Sequence, residues 1–390
     1  MPPSGFRNTA KREIDLPAIL IKIIHMKNLP DHLLPATEAR RRLGVSAQTL
    51  YAYVSRGHIR AFQDPSDARK SLYLKEDVES WAARKARGRS RRKVAQSALN
   101  WGEPSLVSAI TEIRDGRYFY RGRDAVELSR YHALEDVTAL LLDRDLSPAD
   151  PDRLPIQMSP DPLQRMLMGL TRKLTDTAPG ALDMIQCLVQ AAMRRRSDGP
   201  VHLQIAAGWG LSDAEADLLR RVLVLCADHE LNASAFACRV AASTGAGLPA
   251  CLIAGLSTLS GPRHGGMVTR AIDWMAAAVN GGDLPDDGQK PPPGFGHPLY
   301  PAGDPRTAEI LRVLPLRPDW QAVVDALAHR NIRPSLDLGL AHVVTTLCLP
   351  REAGLVLFAV GRSAGWMAHA EEQRASGQLI RPRAVGGVVG

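Results

Sequence analysis

"SGPRHGGM" (260–267) and "PGFGHPLYPAGDPR" (293–306) each set a histidine, His264 and His297, in glycine-rich irregular backbone with an arginine nearby. Glycines at 265, 266, 294 and 296 free the chain from Cβ contacts and would let a ligand approach the backbone closely. Irregular segments held by a rigid scaffold are also where binding and catalytic side chains concentrate. One histidine in a glycine turn is ordinarily a surface residue, but two in succession call for a common explanation.

The whole chain bounds that explanation. Its 390 residues suffice for two domains and a sizeable core. Aromatic residues are only 5%, and the apolar positions recur at helical rather than alternating spacing. A mainly α protein is expected. The five cysteines (187, 226, 238, 251, 348) form no CxxC pair and read as lying in apolar surroundings, which excludes a zinc ribbon or disulfide scaffold and fits a reducing cytoplasm. "LPAILIKIIHM" (16–26) is too short and, with Lys22, too charged to span a bilayer, so no membrane association is expected.

Charge divides the chain. Residues 1–100 hold 20 Lys and Arg against 9 Asp and Glu, a balance of +11, whereas the remainder carries −3 of the total +8. Within the basic part, "ATEARRRLGVSAQTLYAYVSRG" (36–57) reads as two short helices. Thr37 caps the first, Gly44 makes the turn, Ser46 caps the second and Gly57 ends it, with Leu43, Val45, Leu50 and Val54 facing inward. "IRAF" and "SLYL", joined by "QDPSDARK", read as a β-hairpin wing, and "KEDVESWAARK" as a further helix. The segment resembles the winged helix-turn-helix of the MerR and excisionase type. That resemblance implies duplex DNA as a partner, contacted by Ser46, Gln48, Thr49, Tyr51 and Arg56. The expected boundaries are a disordered leader over 1–34, the winged module over 35–83, a basic linker over 84–97 and a second domain over 98–390. Met26, just before the first helix, reads as a natural start, the leader being disordered or absent from the natural product.

Three tempting motifs fail on context. "GRSAG" (361–365) spells G-x-S-x-G, but only 25 residues follow, and the acid and histidine that such a nucleophile needs do not fit in them. "GAGLPA" (245–250) is interrupted by Pro249, and "HELNA" (229–233) has Ala233 where a zinc protease needs histidine.

The two histidine turns are members of a longer series. "DGRYFYRGRDAVELSRYHALEDVTALLLD" (115–143), "ADHELNASAFACRVAASTGA" (227–246), "LSGPRHGG" (259–266), "GFGHPLYPAGDPR" (294–306), "PSLDLG" (334–339), "FAVGRSAGWMAHAEEQ" (358–373) and "RPR" (381–383) follow one another in order. Together they resemble the citrate synthase family over roughly residues 100–390, citrate and 2-methylcitrate synthases included. The resemblance implies large and small helical domains and a homodimer. It implies a Claisen condensation between acetyl-CoA or propionyl-CoA, bound as substrate, and oxaloacetate, with no resident cofactor or metal. By position, Asp337 is then the base, His264 the donor to the developing enolate oxygen and His297 the donor to the ketone. His229, Arg306, Arg362 and one arginine of the tail, Arg381 or Arg383, hold carboxylates. Arg263 is expected to keep His264 neutral by repulsion.

The sequence also departs from that family. "LGLA" follows Asp337 where many members carry an aromatic and Tyr-Ser-Gly, Pro298 replaces the usual arginine, and the stretch from about 143 to 217 is short. With the added basic module, these departures keep an alternative open: a DNA-binding transcriptional regulator that uses the fold as a metabolite sensor.

Overall fold

The computed structural model describes residues 32–56, 58–64, 67–88, 106–149, 159–176, 178–285 and 290–382. The chain divides into two compact units between Ser105 and Leu106. Most of the leader (1–31) and most of the linker lie outside the described residues, but the last leader residues are not disordered as expected: Leu33 and Leu34 pair with Leu74 and Tyr73 in a sheet.

In the first unit, strands β1 (Leu33–Pro35), β2 (Ala61–Asp64) and β3 (Asp67–Leu74) form an antiparallel sheet with β3 in the centre. Helices α1 (Ala36–Leu43), α2 (Ala47–Ser55) and α3 (Lys75–Gly88) complete it. Gly44 takes the left-handed conformation that ends α1, and the Ser46 hydroxyl accepts the Thr49 N–H to cap α2. Thr37 does not cap α1. Pro35 pairs with Leu72 in the sheet and leads straight into the helix, so Thr37 already lies in its first turn. Leu43 and Leu50 are buried, with Val45 and Val54 packed partly against them. The last helix runs to Gly88, past the expected start of the linker, because "AARKAR" is rich in good helix formers. Gly57, expected to end α2, lies outside the described residues.

The second unit opens with a small antiparallel sheet, β4 (Thr111–Arg114), β5 (Arg117–Tyr120) and β6 (Arg123–Asp124). Helices follow: α4 (Ala125–Tyr131), α5 (Leu134–Leu142), α6 (Pro162–Arg172), α7 (Ala181–Met193), α8 (Val201–Trp209) and α9 (Asp213–Cys226). Then come α10 (Ala233–Ser243), α11 (Leu248–Leu259), α12 (Met267–Val279), α13 (Pro305–Val313), α14 (Pro318–Ala328), α15 (Leu336–Thr346) and α16 (Ala353–Ser376).

Helix α16 is the axis of this unit, packing against α5, α7, α9, α10, α11, α12 and α15. Most of its residues from Ala353 to Ala370 are buried, as expected of a helix surrounded on every side. "GRSAG" lies inside it. Ser363 is buried and bonds to the Val360 carbonyl, while a Cβ at Gly361 would stand 2.7 Å from Leu223 O. At Gly365 a Cβ would stand 2.5 Å from Ala227 O, and the Gly365 N–H donates to that same carbonyl. These glycines let α16 press on the segment that carries His229, so the motif is a packing device. "GAGLPA" forms the end of the tight turn between α10 and α11 and the first turn of α11, with Pro249 inside that turn. Four cysteines are buried free thiols; Cys348, expected in apolar surroundings, is exposed because it falls just past the end of α15. Among the described residues, no helix is long and apolar enough to cross a membrane.

Candidate active site

The second histidine turn and the proposed base are brought together by short backbone pairing. Gly296 N–H donates to Arg333 O (2.8 Å) and Ser335 N–H to Gly294 O (2.9 Å), so His297 and Asp337 leave the same paired segment. Gly294 and Gly296 have φ of +88° and +72°, and a Cβ on Gly265 would stand 2.8 Å from Leu259 O. The protein's own backbone therefore demands these glycines, which were expected to serve ligand approach.

His229, His297, Tyr300 and Arg306 form one cluster. The two imidazoles meet edge to face at 5.2 Å, and His229 Nε2 lies 2.8 Å from the Tyr300 hydroxyl. The Leu299 N–H donates to His297 Nδ1 (3.2 Å), which puts the ring proton on Nε2. Arg306 forks onto Asp304 through Nε (2.9 Å) and Nη2 (2.6 Å), leaving Nη1 outside the fork. Asp304 also accepts the N–H groups of Arg306 and Leu336, so one carboxylate ties the first turns of α13 and α15 together. Asp337 lies in that first turn of α15, with the Ser335 hydroxyl 3.3 Å from its Oδ2.

His264 belongs to a second group. Its Nε2 is 2.9 Å from the Ser234 hydroxyl, which accepts the indole N–H of Trp366 (3.1 Å) and donates to Asn232 Oδ1 (2.7 Å). Arg362 links the two groups. Its Nε donates to Cys226 O (2.7 Å), its Nη2 is buried without a hydrogen-bond partner among the described residues, and its charge acts on both His264 and His229.

Burial and these cations set the protonation states. Burial, assisted by Arg362, lowers His264 to about 4, and burial with Arg306 lowers His297 to about 4. His229 is pushed down further by burial and the same two arginines. All three are neutral at pH 7, so each can donate one N–H and accept at the other nitrogen. Burial raises Asp337 to about 6 against the opposing charge of Arg306, which suits a general base. The cation acting on His264 is Arg362, not Arg263. Arg263 is exposed, and sequence adjacency does not turn its side chain inward.

Of the expected site residues, six are thus held in two connected groups: His229, His264, His297, Arg306, Asp337 and Arg362. Arg381 is exposed beyond the end of α16 and bonds to none of them; Arg383 lies outside the described residues. Reasoning from sequence missed Ser234, Trp366, Tyr300 and Asp304. It also missed a buried chain behind His229, in which Asp228 accepts from Thr111 (2.6 Å) and lies 3.3 Å from His369 Nε2, while Arg239 donates to His369 Nδ1 (2.9 Å). Among the described residues, no group of His, Cys, Asp and Glu could hold a metal ion.

The family described as "Citrate synthase, C-terminal domain" matches residues 171–383, more than half of the chain. The chain belongs to the citrate synthase family. A helix-turn-helix domain matches residues 33–86. "Putative citrate synthase 2" of Mycobacterium tuberculosis (strain ATCC 25618 / H37Rv) is 36% identical over 183 residues, 42% of this chain and 48% of that protein. "Citrate synthase 2" of Bacillus subtilis (strain 168) is 30% identical over 197 residues, 44% and 51% of the two chains. This citrate synthase family chain spans about half the length of the relatives it matches. In fold it is similar to the citrate synthase of Thermotoga maritima MSB8 (TM-score 0.59). It is likewise similar to that of Thermoplasma acidophilum in a ternary complex with carboxymethyl coenzyme A and oxaloacetate (TM-score 0.61). Each is 22% identical and covers 75% of this chain and 96% of its own.

In the helix-turn-helix unit, Ser46, Gln48, Tyr51 and Arg56 are exposed, whereas Thr49 is half-buried with its hydroxyl 3.0 Å from that of Ser46. Arg41 and Arg42 are bound by Glu38, and Arg60 by Asp77, so part of the positive charge is neutralised locally.

Proposed function

We propose that the helical unit condenses an acyl-CoA with a 2-oxo diacid, oxaloacetate, to give citrate or 2-methylcitrate and free CoA. The observation that carries this reading is a half-buried carboxylate, Asp337, raised to about 6 by burial against the charge of buried Arg306, in a unit that also buries Arg362 and holds His229, His264 and His297 neutral. Asp337 removes the α-proton of the acyl group while the neutral His264 donates to the thioester oxygen, so that the enolate forms without a full charge in the interior. For His264 to donate from Nδ1, the Ser234 hydroxyl must turn its single proton from Asn232 Oδ1 to His264 Nε2. The enol carbon then bonds to the ketone carbon, and His297 Nε2–H hydrogen-bonds to the ketone oxygen and protonates the new alkoxide. Water finally cleaves the thioester, releasing CoA. Arg306 through Nη1, Arg362 through Nη2 and His229 hold the two carboxylates, a task suited to the guanidinium fork.

The test is release of free thiol from acetyl-CoA or propionyl-CoA with oxaloacetate; no release from either overturns the reading. Arg381 would act across the two-fold axis of a homodimer. Mixing His264→Ala chains with Arg381→Ala chains then restores part of the activity, and heterodimers that stay inactive remove Arg381 from the site.

A second reading, a DNA-binding regulator with this fold as sensor, is supported by the outward face of Gln48, Tyr51 and Arg56 on a unit with net positive charge. Fluorescence anisotropy on duplex DNA at low salt tests it. Binding that falls steeply with salt in the full chain, and is absent from residues 94–390, supports a DNA-binding module; equal behaviour of the two removes it.

A further inference from the structure

Strand β5 carries two buried tyrosines on one face. Tyr118 and Tyr120 are two positions apart, so both side chains leave the same side of the sheet, and their rings meet edge to face at 5.5 Å. Neither is exposed to solvent. The Tyr120 hydroxyl is fully used: it accepts the Asp228 N–H (3.1 Å) and has its own proton within reach of Val224 O (3.0 Å) and Asp228 O (3.1 Å). The Tyr118 hydroxyl, buried in the same way, has no hydrogen-bond partner among the described residues. Burial raises Tyr118 well above the ordinary phenol range, so it is a neutral donor whose proton is unspent. A phenylalanine would fill the same space without the cost of an unpaired polar group in the interior. A hydroxyl kept at that cost calls for a role outside the resting fold.

Its neighbours indicate the charge of what it meets. The Arg306 guanidinium carbon lies 5.9 Å from the centre of the Tyr118 ring and 5.7 Å from that of Tyr300, and the His229 ring is 6.1 Å from Tyr118. Tyr300 and His229 bond to each other, and Arg306 commits Nε and Nη2 to Asp304. Arg306 Nη1, outside that fork, and the Tyr118 hydroxyl are both donors. Two uncommitted donors around one buried guanidinium suit an anion.

We infer that Tyr118 is a further substrate-binding residue, whose hydroxyl donates to the carboxylate held by Arg306. The inference rests on the condensation reading above, which supplies oxaloacetate as the diacid. A carboxylate accepts at both oxygens, so one takes Arg306 Nη1 while the other takes the phenol. Hydrogen bonds to a charged acceptor are the stronger kind, and away from water they gain further.

The experiment combines thermal melting with calorimetric titration of oxaloacetate, in the full chain and in Tyr118→Phe, which removes the hydroxyl alone. Opposite signs are expected. Without ligand the variant melts about 2–4 °C higher, having lost an unpaired buried group. It nevertheless binds oxaloacetate at least about tenfold more weakly, as loss of a hydrogen bond to a charged group does. Tyr120→Phe, two residues along the same strand, loses a hydroxyl that is already bonded and melts lower. In thiol release, Tyr118→Phe raises KM for oxaloacetate by about the same factor of ten and leaves KM for the acyl-CoA unchanged. Unchanged oxaloacetate affinity in Tyr118→Phe overturns the inference, and so does a wild type that binds no oxaloacetate. A Tm that falls in Tyr118→Phe as it does in Tyr120→Phe also overturns it, since the hydroxyl would then be bonded within the fold. Binding is read without turnover, so a chain that binds oxaloacetate but releases no thiol counts against the condensation alone, and the titration still decides the role of Tyr118.

Discussion

Two arginine–aspartate forks, one in each unit, have almost the same geometry. Arg60 meets Asp77 through Nε and Nη2, both at 2.8 Å, and Arg306 meets Asp304 through the same atoms at 2.9 and 2.6 Å. In both, the aspartate also accepts the arginine's own backbone N–H. Their side chains differ in exposure, 64% and 17% for the first pair, 3% and 0% for the second. In water the first fork is screened and replaceable. In the interior the second must be complete, because removal of one partner strands the other's charge. Bond lengths alone therefore do not show which fork matters; the surrounding dielectric decides.

The sharpest way to break this comparison is Arg306→Gln. Loss of the buried fork should lower stability by about 3–5 kcal/mol in denaturant melts, the range for breaking a buried pair, and abolish oxaloacetate binding. A loss no larger than that of a surface substitution would remove the distinction between the forks. Asp337→Asn sharpens it from the other side. The folded protein holds this carboxyl at about 6, above the unfolded value near 3.8. The stability it contributes is complete below the unfolded value and is lost as pH rises through 6. Two pKa units correspond to about 3 kcal/mol, so Asp337→Asn should gain roughly that much at pH 8, with the gain shrinking as pH falls toward 4. The same change should lower kcat by roughly 10²- to 10⁴-fold. An inactive variant with no gain in stability would mean that the carboxylate is not strained in the interior. The smallest effect belongs to Arg60→Gln, for which no shift in Tm outside experimental scatter is expected, and a marked fall would contradict the account of the surface fork.

Much of this was legible in the sequence where the signal is local. Gly44 and Ser46 mark the turn and cap of the N-terminal module, whereas the glycines around His297, read as room for a ligand, serve left-handed backbone. The histidines, Asp337 and the two buried arginines followed from the order of the quoted blocks. What stayed hidden is long-range: Ser234 meets Trp366 across 132 positions, and Arg239 meets His369 across 130. No periodicity records such pairings. Asp304 was equally invisible as a tie between two helices, because its second partner, Leu336, lies 32 positions on. Thr37 and Arg263 mislead for the opposite reason. A good capping residue and an adjacent charge are local cues, which sheet pairing and side-chain direction override.

The most direct measurement is the pH profile of kcat/KM for thiol release by the wild type between pH 4.5 and 8.5. Asp337 must be ionised to act as base, and His264 and His297, lowered to about 4, are mostly neutral across that range. The account predicts a plateau above about 6 and a tenfold fall per pH unit below it. A flat profile through 6, or a limb near 4 alone, would contradict the assignment of Asp337 as the base.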